Sequence, residues 1–157
     1  MRAIEQTIYQ FDELSDKAKE TARDYFRDLE YAWANEAEQS IETFCSAFNV
    51  SLLDFCVEAY CPFNYKTDAS DANFRGEKLS QFNRDYMPTG YCLDNELWMT
   101  FYDAFRTTGD AKSAFNEALD AGFKSWREDM EYQTTDEYID DFILTNGDEF
   151  YENGKLF

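Results

Sequence analysis

The sequence predicts an α+β fold, with several helices packed on a small, mainly antiparallel sheet, and three patterns in the chain support it. The first residues alternate apolar and polar as a half-buried strand does, long stretches on either side of the centre repeat at helical spacing, and residues 50–65 are rich in β-branched and aromatic side chains. At 157 residues with 44% hydrophobic and 18% aromatic content, the chain can bury a real core and is expected to form a single domain over 1–157.

The opening strand is expected over residues 3–11, with Ile4 and Ile8 on one face and Tyr9 and Phe11 closing the other. Ser15 and Asp16 then suit a helix start, a hydroxyl cap followed by a carboxylate at the positive helix end. Leu14, Ala18, Ala22, Phe26, Leu29 and Trp33 recur at steps of three and four, which predicts a helix running to about Ala34. A second helical period comes from Ile41, Phe44, Cys45 and Phe48 and stops at Asn49. One or two strands follow in residues 50–65, with Pro62 at a turn or edge. Asp, Ser, Asn and Gly make residues 66–76 a loop, with a short strand near Ala72 to Phe74.

Three more helices are expected. Leu93, Leu97, Phe101 and Phe105 mark one that ends at Thr107-Thr108-Gly109, and residues from Ala111 to Trp126 mark another despite Gly122. Tyr138, Ile139, Phe142 and Ile143 form the apolar side of the last, over residues 135–144. Asn153-Gly154, between two short apolar segments, has the composition of a type I′ hairpin turn.

Composition excludes several functions. With 33 acids against 14 bases the net charge is −19, so the chain has no basic surface with which to bind nucleic acid directly. No apolar run reaches membrane-spanning length and no leader pattern opens the chain, so no membrane partner and a cytosolic location, that of a host cell, are expected. There is no histidine, which removes His-activated nucleophiles and His-ligated metals. No Gly-rich phosphate loop occurs, and no cofactor is implied. Cys45, Cys56, Cys61 and Cys92 read as buried thiols rather than disulfides or zinc ligands, since Cys56 and Cys61 lack CxxC spacing. Asp71, Asn73 and Gly76 mimic the start of a calcium loop, but Arg75 and Phe82 occupy positions that require oxygen ligands. Carboxylate pairs are too abundant to single out an acid–base catalyst, and no enzymatic activity is expected.

The acids are unevenly spread. Glu128, Asp129, Glu131, Asp136, Glu137, Asp140, Asp141, Asp148, Glu149 and Glu152 fall in a stretch without a single Lys or Arg. The first nine form the candidate partner-binding set. A solvated acidic face explains such a run; so does a surface that imitates a phosphate backbone, since 19 charges match about 32 Å of duplex at one charge per roughly 1.7 Å. Binding through exposed aromatics is the alternative, with Tyr86, Tyr91 and Trp98 as candidates and core packing the better role for Trp98.

The segment YQFDELSDKAKETARDYFRD (residues 9–28) and the closing EFYENGKLF resemble a family of small bacteriophage and prophage proteins. In that family a strand leads to an ELSDxAKExA helix, an aromatic middle follows, and the last strand reads FxxxGxxF. In the middle of this chain only the aromatics and Gly76 agree. The resemblance implies a phage origin and carries over no catalytic residue. It also implies a stoichiometric inhibitor of a host defence, of the anti-CRISPR or anti-restriction type, acting as an acidic DNA mimic that occupies a basic nucleic-acid-binding groove.

Overall fold

A computed structural model describes residues 7–29, 31–58, 61 and 64–157. Ile4 and Pro62, and with them the start of the expected first strand and the turn at Pro62, lie outside the described residues. The fold is α+β: β1 (Tyr9–Gln10), α1 (Asp16–Arg27), α2 (Ala34–Ala47), β2 (Leu52–Phe55), β3 (Tyr65–Thr67), α3 (Cys92–Thr108), α4 (Ala111–Gln133), α5 (Asp136–Asn146) and β4 (Glu149–Phe150). The strands do not share one sheet. β1 pairs antiparallel with β4 and β2 with β3, giving two separate two-stranded sheets. Among the described residues no helix is long and apolar enough to cross a membrane.

The chain divides into two compact units, one of Met1–Tyr31 with Met130–Phe157 and a larger one of Ala32–Asp129. In the smaller unit Phe11, Leu14, Ala18, Ala22, Ile139, Ile143 and Phe150 form the core. Ser15 caps α1 as expected, accepting from Ala18 N–H at 3.3 Å. That helix stops at Arg27, short of the expected Ala34, and Leu29 and Trp33 are exposed rather than part of its buried stripe. The three- and four-residue spacing runs on across the break because periodicity records side-chain type and not what the side chain packs against.

The closing segment is a hairpin of a different kind from that expected. Gly154 N–H donates to Tyr151 O at 2.9 Å, Phe150 bridges to Leu156, and Asn153 keeps a negative φ while Gly154 takes +83°. A type I turn followed by a left-handed glycine fits these values, whereas type I′ needs both central residues at positive φ.

The larger unit is built on rings. Phe44 stacks on Phe115 at 5.3 Å, and Phe48 lies within 4.8–6.0 Å of Phe74, Phe82, Trp98, Phe101 and Phe115. Trp98, 3% exposed, is therefore a core residue, as its spacing suggested. α4 continues unbroken through Gly122, where a Cβ would stand 2.6 Å from Leu97 Cδ2 and 3.2 Å from Ile41 Cδ1. Close packing against those two side chains explains why a helix interior carries glycine. The strand considered near Ala72 to Phe74 is instead a 3-10 turn over Asp71–Phe74.

The cysteines also differ from expectation. Only Cys45 is a buried free thiol; Cys92 is exposed and free, and Cys56 and Cys61 are half-buried with their sulfurs joined. Burial, with Glu42 and Asp68 adding negative potential, pushes the Cys45 thiol up to about 12.

Candidate functional site

α5 begins at Thr135, whose hydroxyl accepts from Tyr138 N–H at 3.3 Å, and Asp136 and Glu137 occupy the first turn, where carboxylates suit the positive helix end. The helix packs against α1, so its acids meet the bases of α1 in space though none is near in sequence. Arg23 grips Asp140 with both arms of its fork, Nε donating to Oδ1 at 2.7 Å and Nη2 to Oδ2 at 2.6 Å. Arg27 donates to Asp136, to Asp24 Oδ1 at 2.6 Å and to Glu20 Oε1 at 3.0 Å. These bonds, led by Asp140 for Arg23 and Glu20 for Arg27, raise both guanidinium pKa values above the ordinary arginine value.

The nine candidate acids consequently separate. Asp136 and Asp140 are ion-paired with the α1 arginines, Arg23 with both and Arg27 with Asp136. Glu128 stands 3.7 Å from Lys124, and Glu128 and Asp129 belong to the larger unit. Asp148 is half-buried, its Oδ2 enclosed and without a hydrogen bond among the described residues. Glu149, exposed on β4, accepts from Gln10 Nε2 at 3.4 Å. Glu131, Glu137 and Asp141 are exposed, and among the described residues no cation lies within 4.0 Å of them.

Beside those three acids runs a line of rings that the sequence did not single out. Tyr25 meets Phe26 at 5.3 Å, Phe26 meets Phe142 at 5.7 Å, Phe142 meets Tyr138 at 6.2 Å and Tyr138 meets Tyr132 at 5.5 Å. Tyr25 and Tyr132 are each 49% exposed and Phe142 is 40% exposed, so the line is an outer seam and not a core. Glu137 and Asp141 are the chain neighbours of Tyr138 and Phe142. Exposed rings set among exposed carboxylates make a surface with apolar area and negative charge in the same place.

Comparison with family models, with curated proteins and with solved structures returned no match. The alternative aromatic candidates lie elsewhere, in the larger unit: Tyr86 is exposed and packs edge-on against Trp98 at 5.1 Å, and Tyr91 is half-buried against Trp33 at 6.3 Å. Among the described residues one carboxylate, Asp94, is fully buried, and its Oδ2 accepts from Thr89 N–H, Thr89 Oγ1–H and Gly90 N–H at 2.8–3.0 Å and so holds the chain at the start of α3. Its Oδ1 is buried with no hydrogen-bond partner among the described residues.

Proposed function

We propose that this protein is a binding protein, not an enzyme, and that its smaller unit engages a basic surface of another protein. The observation that carries this reading is the set Glu131, Glu137 and Asp141, exposed, without a cation in reach among the described residues, and interleaved with the ring seam of Tyr25, Phe142 and Tyr132. Carboxylates steer a positively charged partner and set its orientation, while the rings supply the desolvated area that holds it. The resemblance of both chain ends to a phage family supports a specific form of this activity: stoichiometric inhibition of a host defence complex in the host cytoplasm, by occupation of its nucleic-acid-binding groove.

Asp136 and Asp140 have no part in that contact beyond fixing α5 on α1. The test is capture on immobilised protein of a purified host protein whose groove binds DNA, measured at low and raised salt. Glu131→Gln with Glu137→Gln and Asp141→Asn is expected to weaken capture on the order of tenfold at 0.15 M salt, with most of the loss in on-rate. Capture that ignores both salt and these substitutions contradicts the acidic reading.

The second reading, adhesion through aromatics without mimicry, is favoured by the exposure of the same seam. Tyr25→Ser with Tyr132→Ser then removes binding while the charge variants retain it.

A further inference from the structure

The segment after β2 in the larger unit has a feature unrelated to the acidic surface. Cys56 N–H donates to Asn64 O at 2.8 Å, so the chain doubles back beside the start of β3. Arg127 on α4 fixes both sides of this loop, Nε donating to Val57 O at 2.8 Å and Nη2 to Asn64 Oδ1 at 2.6 Å. On that frame Cys56 and Cys61 have their Cα atoms 6.0 Å apart and their sulfurs joined. Glu58 Oε2 lies 3.0 Å from Cys56 Sγ and 3.7 Å from Cys61 Sγ, and all three donor atoms fall within 4.8 Å of one another.

A disulfide has no S–H to donate and gains nothing from a carboxylate held against it. The same three groups in reduced form are two thiols and a carboxylate converging on one point. Two thiolates with one carboxylate are a donor set for a thiophilic divalent ion such as zinc. Zinc–sulfur bonds of about 2.3 Å and zinc–oxygen bonds of about 2.1 Å at a tetrahedral angle place S and O about 3.6 Å apart. The two sulfur–oxygen distances found here bracket that value. Both cysteines are only half-buried, which leaves room for a water as fourth ligand. Cys92 is not part of the cluster.

We propose that Cys56, Glu58 and Cys61 form a redox-gated binding site for a zinc-type divalent cation, closed when the two sulfurs are joined and open when they are reduced. A dithiol reductant opens it: two electrons and two protons pass to the Cys56–Cys61 bond, which breaks to two thiols as the reductant closes to its own disulfide. The cation then displaces the two thiol protons to solvent and takes both thiolates and the Glu58 carboxylate.

The test is titration of the full chain with Co2+, a coloured stand-in for Zn2+, after phosphine reduction and anaerobic desalting. One equivalent is expected to give a thiolate-to-cobalt charge-transfer band that Zn2+ removes, and the oxidised chain is expected to give none. Cys45→Ala with Cys92→Ser leaves only the proposed thiols and retains the band, whereas Cys61→Ser abolishes it. Glu58→Gln weakens Co2+ binding at least about tenfold. The proposal is overturned if the Cys45→Ala, Cys92→Ser chain shows no band, if Cys61→Ser keeps it, if Glu58→Gln binds with unchanged affinity, or if the oxidised chain binds equally well.

Discussion

Of the two glycines in the smaller unit, Gly154 meets the stricter steric demand. A Cβ there would stand 2.0 Å from Ala18 O, and φ of +83° is itself strained for any residue with a side chain. Gly154→Ala is therefore expected to cost roughly 3 kcal/mol or more in denaturant unfolding, the sum of the backbone strain and the displacement of α1. Gly147→Ala, at φ +68° with nothing within 4 Å, carries the backbone strain alone and should cost about 1 kcal/mol. Equal losses would mean that the contact with Ala18 is not made. At Cys45 the prediction concerns pH. Its thiol pKa is raised to about 12 by burial, so the native state keeps its proton while the unfolded chain loses it from about pH 8.5 upward. Stability is fully present below that point and falls as pH rises towards 12. Cys45→Ala should flatten that decline in unfolding midpoints, and a slope identical to that of the parent chain would refute the assignment.

Among the elements, α5 shows how charge counted along a chain differs from charge in space. Its acids look unopposed in sequence because the stretch has no base, yet α1 delivers Arg23 and Arg27 to Asp136 and Asp140 across more than a hundred residues. Asp140→Asn should thus destabilise by about 1 kcal/mol, since it breaks a two-armed fork on a half-buried guanidinium. Glu137→Gln should leave stability unchanged or raise it by a few tenths of a kcal/mol, because it relieves repulsion with Asp141 one turn on. Urea midpoints of the two variants moving together would deny the pairing. Removing the α5 cap with Thr135→Ala is expected to cost about 1 kcal/mol.

What the sequence revealed follows the same division. The Ser15 cap, the Gly109 stop after α3 and the buried stripes of α3 and α4 were legible because they depend on residue type at helical spacing, whereas of the expected α5 stripe only Ile139 and Ile143 are buried and Phe142 is exposed. The pairing of β1 with β4, the forks on α5 and the ring seam were not, because each joins α1 or β1 to the far end of the chain. The run of three- and four-residue steps through Leu29 and Trp33 misled for a related reason: it supplies a helical pattern with no partner surface to bury.

For the whole molecule, acid is spread over both units: 16 acids against 6 bases in residues 1–31 and 130–157, and 17 against 8 in residues 32–129. Net charge alone thus makes neither unit the binding element; the proposal for the smaller one rests on its ring seam beside Glu131, Glu137 and Asp141. Direct binding of a DNA duplex by this protein is not expected at 0.15 M salt, and a gel shift at submicromolar concentration would contradict the mimicry proposed here. The most direct measurement is displacement of a fluorescent DNA duplex from the heparin-retained protein fraction of a bacterial lysate, followed by anisotropy as this protein is added. The parent chain and Asp140→Asn are expected to release the duplex at similar concentrations, and Glu131→Gln with Glu137→Gln and Asp141→Asn to need about ten times more. No release by the parent chain, or equal release by the triple variant, would contradict the proposed role of the smaller unit's acidic surface.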